Sequence, residues 1–327
     1  MKSIGLVGEP YAGKSTLFTA LTRVGAAGGR ANQAVVPVHD ERVETVAEIE
    51  RSRKIVHSQV RFVDVPGGGS AQSLAALRET DALCLVLRGF GSDADPAGEL
   101  NEVTSDLLVA DLALAESALE GARRRAKGRG KQEADEVGTL ERAHAALDKE
   151  TPLRDADLDD ADRKILRALG PLTLKPWIVI ANLEEGADLP AGLPEGTVPV
   201  YAEIEAETAS MPEEEARALL EEFGVAEPGL DRVVRACYGA LDLLTFLTGA
   251  EQEARAWEVH RGATAPEAAG AIHSDLQRGF IRAEVVGYED FVEVGGWRGA
   301  RARGVVRIEG KDYVVQEGDV MLIRFAV

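Results

Sequence analysis

The sequence predicts an α/β fold: a parallel sheet wound on both faces by helices, broken by a long helical insertion and followed by a small α+β module. Three observations predict it. Short apolar runs alternate with helical patterns from Ser3 to Leu87 and again from Lys175, the rhythm of a parallel sheet with crossover helices. Residues Pro96 to Leu169 abandon that rhythm, being rich in Ala, Leu, Glu and Arg with Leu107, Leu108, Leu112, Leu114 and Leu119 at helical spacing, which reads as a hairpin of two long helices. Beyond residue 243 the composition shifts again, and Val285 to Val327 is strand-like and punctuated by glycine.

In order, Ser3–Val7 is an apolar strand, and Ser15 opens a helix with Leu17, Phe18, Leu21 and Val24 on one face. The Gly/Ala-rich stretch Val24 to Ala34 lacks periodicity and reads as a mobile loop. Val36 to Ile49 reads as a short strand and a helix, and Val60 to Val65 as an alternating strand. Ser73 to Arg78 forms the next crossover helix, and Ala82 to Leu87 is the continuous apolar run of a buried parallel strand. Lys175–Asn182 and Val198–Ile204 supply two more strands. An acidic helix over Pro212–Phe223 and a helical run to Leu247 follow, then strand-like segments at Val305, Val306 and Ile308, at Tyr313 to Val315, and from Met321 to Phe325. The expected domains are 1–96 with 170–243, a helical insertion over 97–169, and a C-terminal module over 244–327.

A chain of 327 residues with 45% hydrophobic content can bury one large core and a smaller one. Its net charge of -19 repels a phosphate backbone and argues against nucleic-acid binding by bulk electrostatics. One basic cluster stands against that background: Arg123, Arg124, Arg125, Lys127, Arg129 and Lys131, with no acidic residue among them. It reads either as a solvated helix turn or as a contact for rRNA or protein. Cys84 and Cys237 each lie in an apolar stretch and read as small core residues rather than a disulfide or metal pair. The start of the chain shows no signal h-region and no run approaches the length of a membrane span, so a soluble, cytoplasmic protein is expected. The five histidines, His39, His57, His144, His260 and His273, show no ligand spacing in the sequence, so no metal site is expected from them. Trp177, Trp257 and Trp297 read as packing residues.

The chemistry is concentrated in three motifs. Gly8-Glu9-Pro10-Tyr11-Ala12-Gly13-Lys14-Ser15 fits G-x-x-x-x-G-K-[ST] between a strand and a helix. There the glycines let backbone N–H groups wrap phosphates, the helix start adds partial positive charge, Lys14 reaches the β- and γ-phosphates, and Ser15 ligates Mg²⁺. Asp64 and Gly67 form a D-x-x-G at the end of a strand, Asp64 holding Mg²⁺ through water and the Gly67 N–H facing a γ-phosphate. Asn182-Leu183-Glu184-Glu185 occupies the place where GTPases carry N-K-x-D, but Leu183 replaces the lysine that packs over guanine and Glu185 the aspartate that reads it. An apolar wall of this kind suits adenine.

With these motifs in view, the chain resembles the YchF subfamily of Obg-related NTPases, which show a P-loop, a D-x-x-G and N-x-x-E in place of N-K-x-D. The resemblance is most specific in the last third, at "VPVYAEIEAE", "GLDRVVRACY", "ARAWEVHRGATAPEAAGAIHSDLQRGFIRAEVV" and "EGKDYVVQEGDVMLIRF". It implies a P-loop domain with a coiled-coil insertion, a C-terminal β-grasp-like TGS domain, ATP with Mg²⁺ in preference to GTP, and association with the ribosome or translation machinery. It also implies that Tyr11, Ala12, Gly13, Lys14, Ser15, Thr16 and Leu183 contact ATP. The chain departs from the family pattern in two loops. No Ser or Thr occurs between Thr22 and Thr45, so the threonine that completes Mg²⁺ coordination is missing, and the segment after Gly67 is cut to Gly68-Gly69-Ser70, with Gly68 where Ras-like enzymes place a water-orienting Gln. Lys14 is then the catalytic residue of a slow ATPase in which water attacks without a side-chain base. The rivals are a docking module that holds nucleotide structurally, and an ordinary GTPase.

Overall fold

The computed structural model describes residues 1–23, 32–65, 70–126, 131–209, 211–225 and 227–326. Gly67, Gly68, Lys127, Arg129 and most of the predicted loop from Val24 lie outside them, as does the side chain of Lys131. The chain runs β1 (Lys2–Val7), α1 (Lys14–Thr22), β2 (Asn32–Val38), α2 (Glu41–Glu50), β3 (Ile55–Val56), β4 (Ser58–Asp64), α3 (Ala71–Arg78), β5 (Ala82–Gly89), α4 (Pro96–Ala126), α5 (Lys131–Leu147) and α6 (Asp160–Arg167). It continues through β6 (Trp177–Leu183), β7 (Val198–Val200), α7 (Ala202–Thr208), α8 (Glu213–Glu222) and α9 (Gly229–Ala240). The last part is β8 (Leu243–Gly249), β9 (Ala254–His260), α10 (Ala265–Ile272), α11 (Ser274–Arg278), β10 (Phe280–Gly287), α12 (Tyr288–Val294), α13 (Gly296–Arg303), β11 (Arg307–Glu309) and β12 (Asp319–Phe325). Two compact units result, one of Lys2–Val35 with Arg61–Cys237, the other of Met1, Val36–Val60 and Tyr238–Val327.

In the larger unit, β1 pairs with β5, β5 with β6 and β6 with β7, all parallel, within a six-stranded sheet of order β2-β4-β1-β5-β6-β7. Ala82 to Leu87 are all 0% exposed, as a strand covered on both faces requires. Side chains alternate along it: Leu83 and Leu85 join Leu77 of α3 and Val103 and Leu107 of α4. Cys84 points the other way, its thiol 3.9 Å from that of Cys237 on α9; both are free, and the hydrogen bond with the Cys237 sulfur and then burial push the Cys84 thiol pKa up.

The insertion is an antiparallel hairpin of α4 and α5. Leu108, Ala115, Leu119 and Ala122 pack on Leu140, Ala143 and Leu147, steps of seven, four and three residues that keep one face of each helix on the other. Its root is fixed by Asp111, whose side chain is fully buried and bonded to Arg78 at 2.9 Å. The same carboxylate accepts from the Thr173 N–H at 2.6 Å and the Thr173 hydroxyl at 2.8 Å.

The smaller unit is a mixed sheet of order β11-β10-β12-β8-β9-β3. Phe246 and Leu244 of β8 look into a core with α10, Ala283, Val285 and Met321, while Leu247, Val286 and Val320 face one with Phe291, Trp297 and Ala300. The second core also holds Val43, Val46 and Ala47 of α2. Thus Val36–Val60, grouped from the sequence with the nucleotide domain, packs with the C-terminal residues. Gly249 allows that approach, since a Cβ there would come within 2.5 Å of Val46.

Three segments differ from the sequence reading. The helical run expected up to Leu247 stops at Ala240, because Asp242 takes a positive φ of 49° and the residues after it form β8, apolar at consecutive positions because the strand is covered on both sides. The expected strand Val198–Ile204 ends at Val200, and Ile204 lies on α7; Glu203 and Glu205 mimic a period of two, yet Ala202 to Thr208 is a helix-forming run. Val305 and Val306 pack without joining a strand, and Tyr313 to Val315 contributes only the isolated bridge of Val314 to Thr264. The tryptophans pack as expected: Trp177 donates to the Leu172 carbonyl at 3.1 Å, Trp257 stacks on Phe246, and Trp297 meets Phe291 edge-on.

Asp111→Ala is expected to destabilise the larger unit by about 3–5 kcal/mol, because it strands Arg78 and the Thr173 N–H in the interior. Urea unfolding followed by helical circular dichroism measures this, and Asp111→Asn, which keeps an acceptor, is expected to lose less.

Candidate nucleotide-binding site

The site lies at the carboxyl ends of the parallel strands, where open α/β sheets bind ligands. β1 ends at Val7, and the chain must turn at once into α1. Gly8 permits this, since a Cβ there would lie 2.2 Å from the Val86 carbonyl oxygen of the neighbouring strand. Gly13 adopts a left-handed φ of 86°, and a Cβ on it would sit 2.2 Å from Asn182 Nδ2. Tyr11 also has a positive φ of 68° and is 91% exposed at the tip of the loop, a strained geometry of the kind that gathers at ligand sites.

α1 starts at Lys14 with no side-chain cap. Its first i→i−4 bond is from the Leu17 N–H to the Gly13 carbonyl at 2.8 Å. The amides of Gly13 through Thr16 therefore precede the helical ladder and point out of its positive end, as an anion cradle requires. Ser15 and Thr16 are exposed and Ala12 is buried.

The Lys14 ammonium donates to the carbonyls of Gly8 at 2.8 Å and Glu9 at 2.7 Å. Burial lowers its pKa, against the pull of Asp64, Glu9 and Glu99. It is a cation folded back on its own loop, ready to exchange two carbonyls for phosphate oxygens. The Glu9 carboxyl is shifted up, first by burial and then by Asp106 and Glu102.

Asp64, at the end of β4 and 1% exposed, accepts from the Ser15 hydroxyl at 3.1 Å and from the Asn32 amide at 3.3 Å, both on Oδ2. Its Oδ1 is buried without a hydrogen-bond partner among the described residues. An unsatisfied carboxylate oxygen beside a hydroxyl suits Mg²⁺, which takes oxygen ligands and keeps several waters. The residues present therefore fit that cation. Asn32 was invisible in the sequence; it stands early in β2, in the stretch that lacks Ser and Thr.

The third motif is placed as follows. The Asn182 amide donates to the Ala12 carbonyl at 3.2 Å and its oxygen accepts from the Ala202 N–H at 3.1 Å, so it ties the phosphate loop to the β7–α7 turn. Leu183 is 3% exposed and packs against Gly89, where a Cβ would come within 2.4 Å of it. Glu184 accepts from the Gly91 N–H at 3.0 Å, and Glu185 is exposed. The Phe90 ring, half-buried, comes within 3.8 Å of a Cβ built on Gly13. The sequence reading did not single out this aromatic beside the loop, since a lone Phe at a strand end carries no pattern.

The basic cluster is partly neutralised. Arg123 pairs with Glu141 and Arg125 with Glu136, each at 2.7 Å across the hairpin, while no ion pair is recorded for the exposed Arg124 among the described residues.

Comparison with known proteins places both ends of the chain. Residues 3–116 match a family model described as "50S ribosome-binding GTPase", and residues 243–326 match a YchF GTPase C-terminal model described as "Protein of unknown function (DUF933)". The chain is 39% identical over 358 aligned positions to "Ribosome-binding ATPase YchF" of Haemophilus influenzae, with 99% of both chains covered. It is 36% identical over 361 positions to the protein of that name from Bacillus subtilis, again covering 99% of each. The solved structure of the Schizosaccharomyces pombe YchF GTPase superposes with a TM-score of 0.84 at 26% identity, covering 99% of this chain and 97% of that one. A similarity that runs through both units and the helical insertion, at this level of identity, means that the chain belongs to the YchF family.

Proposed function

We propose that this chain is a Mg²⁺-dependent NTPase that prefers ATP to GTP, turns over slowly and works with the ribosome in the cytoplasm. The observation that carries the reading is the group formed by the unbonded amides at the start of α1, the Lys14 ammonium and the Ser15–Asp64 contact. A triphosphate supplies the acceptors that these donors lack. Lys14 would leave the Gly8 and Glu9 carbonyls for the β- and γ-phosphates, and Ser15 and Asp64 would hold Mg²⁺; Gly67, the residue expected at the γ-phosphate, lies outside the described residues. Held there, Mg²⁺ would supply charge neutralisation at the phosphoryl oxygens. Tyr11 to Thr16 wrap the phosphates.

The preference for adenine rests on what the base loop lacks. Asn182 is engaged with two backbone groups, Leu183 offers no cation to pack over guanine, and Glu185 is longer than the aspartate that reads guanine N–H groups. Slow turnover follows from Gly68, which cannot orient a water. The domains proposed are a nucleotide-binding domain over 1–96 and 170–243, from which Val36–Val60 departs to pack with the C-terminal residues, a coiled-coil arm over 97–169, and a TGS domain over 244–327.

The ribosome is the proposed partner because the named relatives are ribosome-binding ATPases and because the arm ends in Arg123, Arg124, Arg125, Lys127, Arg129 and Lys131. With Arg123 and Arg125 already paired, Arg124 is the foremost phosphate contact among the described residues.

Isothermal titration with Mg²⁺ is expected to show ATP binding that Lys14→Ala weakens by about 100-fold, the worth of two charge-assisted contacts. Phosphate release above the Lys14→Ala background distinguishes an ATPase from a module that merely holds nucleotide. In competition against a fluorescent nucleotide ATP is expected to outcompete GTP, and a tenfold advantage for GTP, about 1.4 kcal/mol, refutes the base assignment. Replacing Arg124 with Ala is expected to weaken ribosome binding and to flatten its salt dependence by about one unit of slope, whereas unchanged binding removes the arm from the interface.

A further inference from the structure

A second constellation of ligating groups lies in the smaller unit. His39 directly follows β2, Glu44 stands on the first turn of α2, and His57 sits between β3 and β4. One donor atom from each lies within 4.8 Å of the others. Glu44 Oε1 is the common vertex, 3.4 Å from His39 Nδ1 and 3.6 Å from His57 Nε2. The two rings approach to 5.4 Å between centroids, tilted by 39°.

These spacings are too long for the charge-assisted hydrogen bonds of a protonated histidine on a carboxylate, which close to about 2.7–2.9 Å. They match another geometry. A tetrahedral ion bound at about 2.0–2.1 Å holds its ligand atoms about 3.3–3.4 Å apart. His57 Nδ1 is buried with no hydrogen-bond partner among the described residues, so hydrogen bonding to the protein does not explain the placement of this ring. Asp40, the adjacent carboxylate, does not compete for the role. It caps α2 and grips Arg42 at 2.9 and 2.8 Å, and Arg42 also reaches Glu317 at 2.6 Å, so the nearby cation is neutralised.

We propose that His39, Glu44 and His57 form a binding site for a divalent transition ion of the zinc class. Two imidazoles and one carboxylate select a borderline ion over Mg²⁺ or Ca²⁺, and three protein ligands leave a fourth position to water. His39 and Glu44 have side chains 58% and 41% exposed, which gives the ion a path from solvent and makes the site exchangeable. Bound there, the ion cross-links the start of α2 to His57, the residue between β3 and β4.

The test uses the full, tag-free chain stripped with chelator and titrated with Zn²⁺ in millimolar Mg²⁺, which saturates the oxygen site at Ser15 and Asp64. One equivalent of Zn²⁺ is expected to bind, and Co²⁺ in its place is expected to give the visible absorption of a tetrahedral nitrogen- and oxygen-ligated ion. His39→Gln and Glu44→Gln, both at exposed side chains and checked for folding by circular dichroism, are expected to weaken Zn²⁺ by more than about tenfold. His144→Gln is the control, since His144 meets Glu116 at 3.5 Å without a second imidazole, and it is expected to change nothing. No zinc binding by the folded chain, or equal binding by the His39 and Glu44 variants, overturns the proposal.

Discussion

The amino end of α1 has no side chain to satisfy its first amides, and the nucleotide site is arranged around that shortage. Gly13 takes a left-handed conformation that no other residue tolerates cheaply, and its missing side chain makes room for the Asn182 amide. That amide in turn holds the Ala12 carbonyl and the Ala202 N–H. The phosphate loop is thereby pinned from behind while its front, with the Lys14 ammonium turned inward on two carbonyls, remains incomplete. On the proposed reading an anion would replace those internal bonds with charge-assisted ones, and the loop already has its shape without a ligand.

How much of this could be read in the sequence depends on how local each device is. The phosphate loop is eight contiguous residues whose roles follow from backbone geometry, and Asp64 is marked by its place at the end of a strand; both are legible without a fold. The wound sheet and the helical insertion were legible too, because Leu107, Leu108, Leu112, Leu114 and Leu119 stand at helical spacing along one segment. Asn32 was not legible, since its approach to Asp64 depends on how β2 and β4 come together. Nor was the pairing of Arg123 and Arg125 with glutamates of α5, where a run that is purely basic in sequence gains acidic neighbours once the hairpin closes. Errors fell where two periods overlap. Leu243 to Gly249 is apolar nearly throughout, so only the positive φ at Asp242 marks the change from helix to strand, and that angle is written nowhere in the residue type.

The segment from Val36 to Val60 shows how tertiary burial overrides sequence neighbourhood. Its order in the chain places it between two phosphate-binding motifs, yet Val43, Val46 and Ala47 find their partners in Leu247, Val286, Phe291 and Trp297. Trp297 closes the packing, its indole N–H reaching the Gly249 carbonyl at 3.1 Å and its backbone N–H reaching Glu50 at 2.8 Å. β3 adds a parallel pairing with β9. The apolar face of α2 cannot be satisfied by a short loop, so the helix belongs where the larger apolar surface is.

This arrangement also brings together donors that no sequence spacing reveals. His39 and His57 are separated by α2 and β3, and only the return of the chain after α2 sets them on one carboxylate. The two proposed cation sites then differ in chemistry rather than in charge alone. Ser15 and Asp64 present oxygen atoms and an unbonded carboxylate lone pair, a hard set for an ion that keeps its water; His39, Glu44 and His57 present two imidazole nitrogens, for which Mg²⁺ has little appetite.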